Sequence, residues 1–69
     1  MNYSIEELIK EIENTLLEIQ AMKNKLYKFA TYPFLDDYVR CIYQSLKELD
    51  NIYINLQYEL LARGDDNGR

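Results

Sequence analysis

Two stretches of this chain place apolar residues at a sustained 4-3 spacing, and that feature constrains the fold more than any other. In the first, Ile5, Ile9, Ile12, Leu16, Ile19, Lys23, Leu26 and Ala30 alternate steps of four and three. In the second, Leu35, Val39, Ile42, Leu46, Leu49, Tyr53, Leu56 and Leu60 do the same. A mean step of 3.5 residues keeps one stripe of an α-helix turned toward a partner helix, the coiled-coil pattern. A strand repeats every two residues and does not produce this spacing. Every seam position except Lys23 is apolar or aromatic. The pattern predicts an all-α chain with two long helices.

Helix breakers fall where two helices need them. Pro33 is the one proline, and the two glycines are Gly64 and Gly68. The expected layout is a first helix over about 4–30, a turn at 31–34, a second helix over about 34–63 and a disordered tail at 64–69. Gly64 suits a left-handed residue that stops a helix. A reversal at the turn sets Leu26 opposite Val39, Lys23 opposite Ile42, Ile19 opposite Leu46, Leu16 opposite Leu49 and Ile5 opposite Leu60. The fold class is therefore a two-helix antiparallel hairpin of coiled-coil type, in a single domain over 1–69.

Helix ends carry their usual chemistry. Ser4 followed by Glu7 is a capping box, in which each side chain serves the other residue's backbone amide. Tyr3 and Leu8 are spaced for a hydrophobic staple. Acidic Glu6, Glu7, Glu11 and Glu13 lie toward the start of the first helix and Lys23, Lys25 and Lys28 toward its end, as the helix dipole favours. Asp36 and Asp37 stand at the start of the second, so both acidic pairs read as helix-terminal charges.

Composition excludes several function classes. At 69 residues there is no room for a second domain or a large substrate cleft. Histidine is absent and Cys41 is the one cysteine, so neither a zinc site nor an internal disulfide is expected. Cys41 reads as a small hydrophobe on a helix. No Gly-rich phosphate loop and no nucleophile–base pair is present, so the chain is not expected to be an enzyme, and no cofactor or metal is implied. Lys23 lacks a second catalytic group. It reads as a snorkelling or register-setting residue, with Met22 beside it taking the buried place. No run of 18 apolar residues exists to cross a membrane. The start, Met1 to Glu7, lacks the basic and apolar regions of a signal peptide, and a cytoplasmic setting is expected. Arg63-Gly64-Asp65 would need a secreted protein and an exposed loop to act as an adhesion motif.

A hairpin of this size has more apolar surface than it can bury. Leu8, Leu17, Met22 and Phe29 on the first helix, and Tyr43, Ile52, Ile54 and Leu61 on the second, fall outside the seam. Exposed patches of that kind mark interfaces, and below ~70–80 residues a single core rarely stabilises a fold by more than ~3–5 kcal/mol. Dimerisation into a four-helix bundle is the expected solution.

Seven tyrosines form the compositional oddity. Most can pack a ring at a bundle edge with the hydroxyl in water. Tyr27, Phe29, Tyr32, Phe34, Tyr38 and Tyr43, however, gather around the turn. They are the candidate partner-binding residues, because aromatics dominate interface anchors. A rival surface is acidic: Glu11, Glu18, Glu48 and Asp50.

Leu35-Asp36, Cys41-Ile42, Ser45-Leu46 and the ending Leu61-Ala62-Arg63-Gly64-Asp65-Asp66 are similar to segments of the Rop family. Those plasmid-encoded helical hairpins dimerise into a four-helix bundle and bind paired RNA loops. The resemblance implies the hairpin and the dimer. It carries over no functional residue, because the family's RNA face lies on the first helix and no motif aligns there.

Three function classes follow. The first is a non-enzymatic protein-binding module: a small regulator, inhibitor or assembly chaperone acting on a larger protein. The second is a Rop-like RNA-binding dimer, with Lys10, Asn14, Lys25 and Lys28 as phosphate contacts. The net charge of −4 runs against it. The third is a structural subunit of a larger assembly.

Overall fold

A computed structural model describes residues 3–67. It is an antiparallel hairpin of two helices, α1 (Ile5–Ala30) and α2 (Asp36–Asn67), joined by a short 3₁₀ turn, Pro33–Leu35. The rod measures 55 × 18 × 15 Å. Among the described residues, no helix is long and apolar enough to cross a membrane.

The start of α1 has the geometry its sequence encodes. The Glu7 amide donates to Ser4 Oγ at 3.1 Å, and the Ser4 amide donates to Glu7 Oε1 at 3.4 Å. Thr31 ends the helix, its hydroxyl donating to the Lys28 carbonyl at 2.9 Å. Proline disfavours helical backbone in the residue before it. Accordingly Tyr32 is extended (φ −107°, ψ 110°), and the chain reverses there. Pro33 opens the 3₁₀ turn, where its missing N–H is not needed. The turn delays α2 to Asp36, two residues later than expected, and puts Asp36 and Asp37 in its first turn.

The core is thin. Ile12, Ile19, Leu26 and Leu46 are buried, and Val39 and Tyr53 pack against the cluster of Ile19, Leu26 and Leu46. Ile19, at 2% exposure, is the best-buried side chain among the described residues. Burying such a residue stabilises a fold by about 1.5–3 kcal/mol.

Three expectations need correction. On α2 the seam is rotated. Ile42, Leu49 and Leu56 are 48%, 42% and 44% exposed, whereas Asp50 and Gln57 are only partly exposed. Leu46, Asp50, Tyr53, Gln57 and Leu60 form the less exposed stripe of α2. The cause is the second correction. Lys23 pairs with Asp50, Nζ to Oδ2 at 3.0 Å, and is not left facing Ile42. Drawing Asp50 inward turns Leu49 outward, since neighbouring helical residues point about 100° apart. Met22 stays exposed, so Lys23 and not Met22 takes the inner place. The third correction concerns Gly64, which has no positive φ and lies inside α2. A Cβ built on it would lie 3.5 Å from Ile5 Cγ2, so the two helix ends meet there. This packing holds helix where a left-handed stop was expected. Of the expected disordered tail, residues 68 and 69 lie outside the described residues.

Candidate interaction surfaces

The 3.5-residue repeat gives the hairpin two unlike sides. On α1 the positions Leu8, Thr15, Met22 and Phe29 recur every seven residues along one flank of the buried line Ile12, Ile19 and Leu26. On α2 the matching flank carries Ile42, Leu49 and Leu56, with Tyr38 and Ile52 beside them. These flanks lie on the same side of the rod. Leu8, Ile12 and Thr15 of α1 line one hollow of about 270 Å³ with Tyr53, Leu56 and Leu60 of α2. Met22, Phe29, Tyr38, Ile42, Leu49, Ile52 and Leu56 are all exposed there. Glu11, Glu18 and Lys25 border this apolar face on α1.

The opposite side is mixed: Leu16, Leu17 and Ile54 line a groove of about 760 Å³ with Asp50 and Gln57, and Leu17 is exposed. Near the turn, Gln20, Lys23, Asn24 and Tyr27 of α1 form a cleft of about 450 Å³ with Arg40 and Tyr43 of α2. Lys23 Nζ stands 5.9 Å from the centre of the Tyr43 ring, within range of a cation–π contact. The Lys23 side chain is 13% exposed and that of Asp50 28%, so their ion pair is shielded more than a surface pair. The outer Arg63–Glu59 pair, 3.2 Å long, is exposed on both sides.

The six predicted aromatics are all exposed but do not make one patch. Tyr32 and Phe34 meet at the tip, edge to face, with ring centres 5.9 Å apart and planes at 60°. Tyr27 and Tyr43 line the polar cleft beside Lys23. Phe29 and Tyr38 belong by spacing to the apolar side. The tip pair is therefore flanked by two different chemistries. The acidic alternative loses a member, because Asp50 is turned inward to Lys23.

Sequence reasoning missed two features. One is Asp50 as the partner of Lys23; the other is the exposed row Ile42, Leu49 and Leu56. The signal for both was present. Tyr43, Asp50 and Gln57 flank the line Val39, Leu46, Tyr53 and Leu60 as closely as Ile42, Leu49 and Leu56 do. A lysine in the facing helix favours the flank that holds a carboxylate.

No protein-family model matches the chain, and no match is found among curated proteins or among solved structures.

Proposed function

We propose that the protein acts without catalysis, as a helical module that binds another protein, in the manner of a small regulator, inhibitor or assembly chaperone. Its apolar side serves self-association into a four-helix bundle, and its aromatic tip contacts the partner. The observation that carries this reading is the imbalance of apolar surface. Among the described residues four side chains make the buried core, while fifteen large apolar or aromatic side chains are exposed. Exposed apolar area on that scale marks interfaces in soluble proteins.

The tip supports the partner-contact role on physical grounds. Tyr32 and Phe34 meet edge to face at the end of the rod, a contact that restrains both rings before binding and so lessens the rotamer freedom lost on binding. The test uses Tyr32→Ala and Phe34→Ala beside the wild-type chain, each immobilised and exposed to a lysate of the source cells. A protein retained by wild type and lost by both tip variants, with helicity unchanged, supports the reading. Identical retained sets from all three chains overturn it.

A further inference from the structure

The apolar side of the rod is self-complementary. On α1 the repeat Leu8, Thr15, Met22, Phe29 has its midpoint between Thr15 and Met22. On α2 the repeat Ile42, Leu49, Leu56 has its midpoint at Leu49. The two midpoints lie at nearly the same height along the rod. Ile19, beside the first midpoint, belongs to the same buried cluster as Leu46, which is one helical turn from Leu49. At the open end Ile5 reaches Gly64, which fixes the same register.

We propose that the occupant of this face is a second copy of the chain, related by a two-fold axis that crosses the rod at right angles through the height of Leu49. The proposal rests on the self-association reading above and gives it a geometry. A perpendicular axis reverses helix direction, so α1 packs on α1 of the second copy and α2 on α2, all antiparallel. Leu8 then meets Phe29 of the other copy, Thr15 meets Met22, Ile42 meets Leu56, and Leu49 meets its own counterpart. Every apolar position of the repeat finds an apolar or small partner, which is what an isologous interface requires.

Size and charge agree with this occupant. The rod is 55 Å long and 18 Å wide, and the stripe from Leu8 to Phe29 runs along its central ~32 Å, so the stripe covers roughly 600 Å² in projection and its charged border and the rod ends add the rest. A standard protein interface uses about 800 Å² from each partner. At the border Glu11 comes opposite Lys25 of the second copy, once on each side of the axis. Glu18 meets its own counterpart, an exposed like-charge contact of small weight. An axis running along the rod would instead lay α1 on α2 of the other copy. Glu11 would then come near Glu59, a like-charged contact, while Glu18 would lie beside Ser45 and Ile52 and lose any charged partner.

The test combines solution mass with disulfide cross-linking in a Cys41→Ser background. Sedimentation equilibrium of the wild-type chain at micromolar concentration is expected to give twice the chain mass. Under mild oxidation, Leu49→Cys is expected to form a covalent dimer at least tenfold faster than Asn24→Cys on the opposite side. Met22→Cys mixed with Ser45→Cys reports the other axis. A dimeric mass with cross-linking through Met22 and Ser45 and none through Leu49 overturns the perpendicular axis and leaves self-association standing. A monomeric mass overturns both. Because each variant replaces an exposed side chain, circular dichroism is expected to match wild type.

Discussion

Lys23 and Asp50 cross the hairpin to form an ion pair at 3.0 Å, and this contact sets which side of α2 faces α1. The pair is partly shielded from water, so removing one partner leaves a charge without its counter-ion. Lys23→Met and Asp50→Asn are each expected to lower stability by about 1–2 kcal/mol in urea unfolding. The double replacement Lys23→Met with Asp50→Leu is expected to recover most of that loss, because apolar side chains can fill the same space. A double variant whose loss equals the sum of the singles would show that the two side chains are not coupled.

The rotated seam separates two leucine-like positions that spacing alone treats as equivalent. Ile19 is buried against Leu46, whereas Leu49 is exposed on the apolar side. Ile19→Asp places an unpaired charge in the core and is expected to abolish the cooperative unfolding transition. Ile19→Ala, a cavity variant, is expected to cost about 2–5 kcal/mol. Leu49→Asp is expected to keep helicity at low temperature while shifting the solution mass toward a monomer. Equal loss of helicity in Ile19→Asp and Leu49→Asp would contradict the rotated seam.

Much of the fold was legible because it rests on strong local rules. The inward line of α1 through Ile12, Ile19 and Leu26, the Ser4–Glu7 box and the Tyr32-Pro33 break each follow from backbone geometry that a few residues determine, and each is realised. The orientation of α2 was not legible in the same way. The stripe through Leu46 and Tyr53 has an apolar flank at Ile42, Leu49 and Leu56 and a polar flank at Asp50 and Gln57. Hydrophobic spacing favours the first; the charge on Lys23, a long-range partner, selects the second. The aromatic group was legible as exposed residues near a turn. Its division into a tip pair and two flanks depends on helical phase, which counting aromatics does not resolve.

Gly64 offers a test of how α2 ends. A left-handed glycine is destabilised by any Cβ, whereas a helical glycine gains from one. Gly64 has no positive φ, and an added Cβ would sit at ordinary van der Waals distance, 3.5 Å, from Ile5 Cγ2. Gly64→Ala is therefore expected to stabilise the hairpin by roughly 0.5–1 kcal/mol, read as a raised urea midpoint. A lowered midpoint would restore the helix stop that the sequence first implied.

The proposed perpendicular two-fold dictates a stoichiometry. It sends the two turns to opposite ends of the bundle, so the Tyr32–Phe34 pairs stand about one rod length, 55 Å, apart. A partner bound at one tip then leaves the other tip open. Titration calorimetry with a partner captured through the tip is expected to give one partner per chain, hence two per dimer, with independent sites. Phe34→Ala is expected to weaken each site at least about tenfold, or ~1.4 kcal/mol, without changing the dimer mass. Chains carrying Phe34→Ala mixed with wild type should include heterodimers that bind one partner tightly and one weakly. A saturating ratio of one partner per dimer would mean that the tips lie together at one end, which the perpendicular axis does not allow.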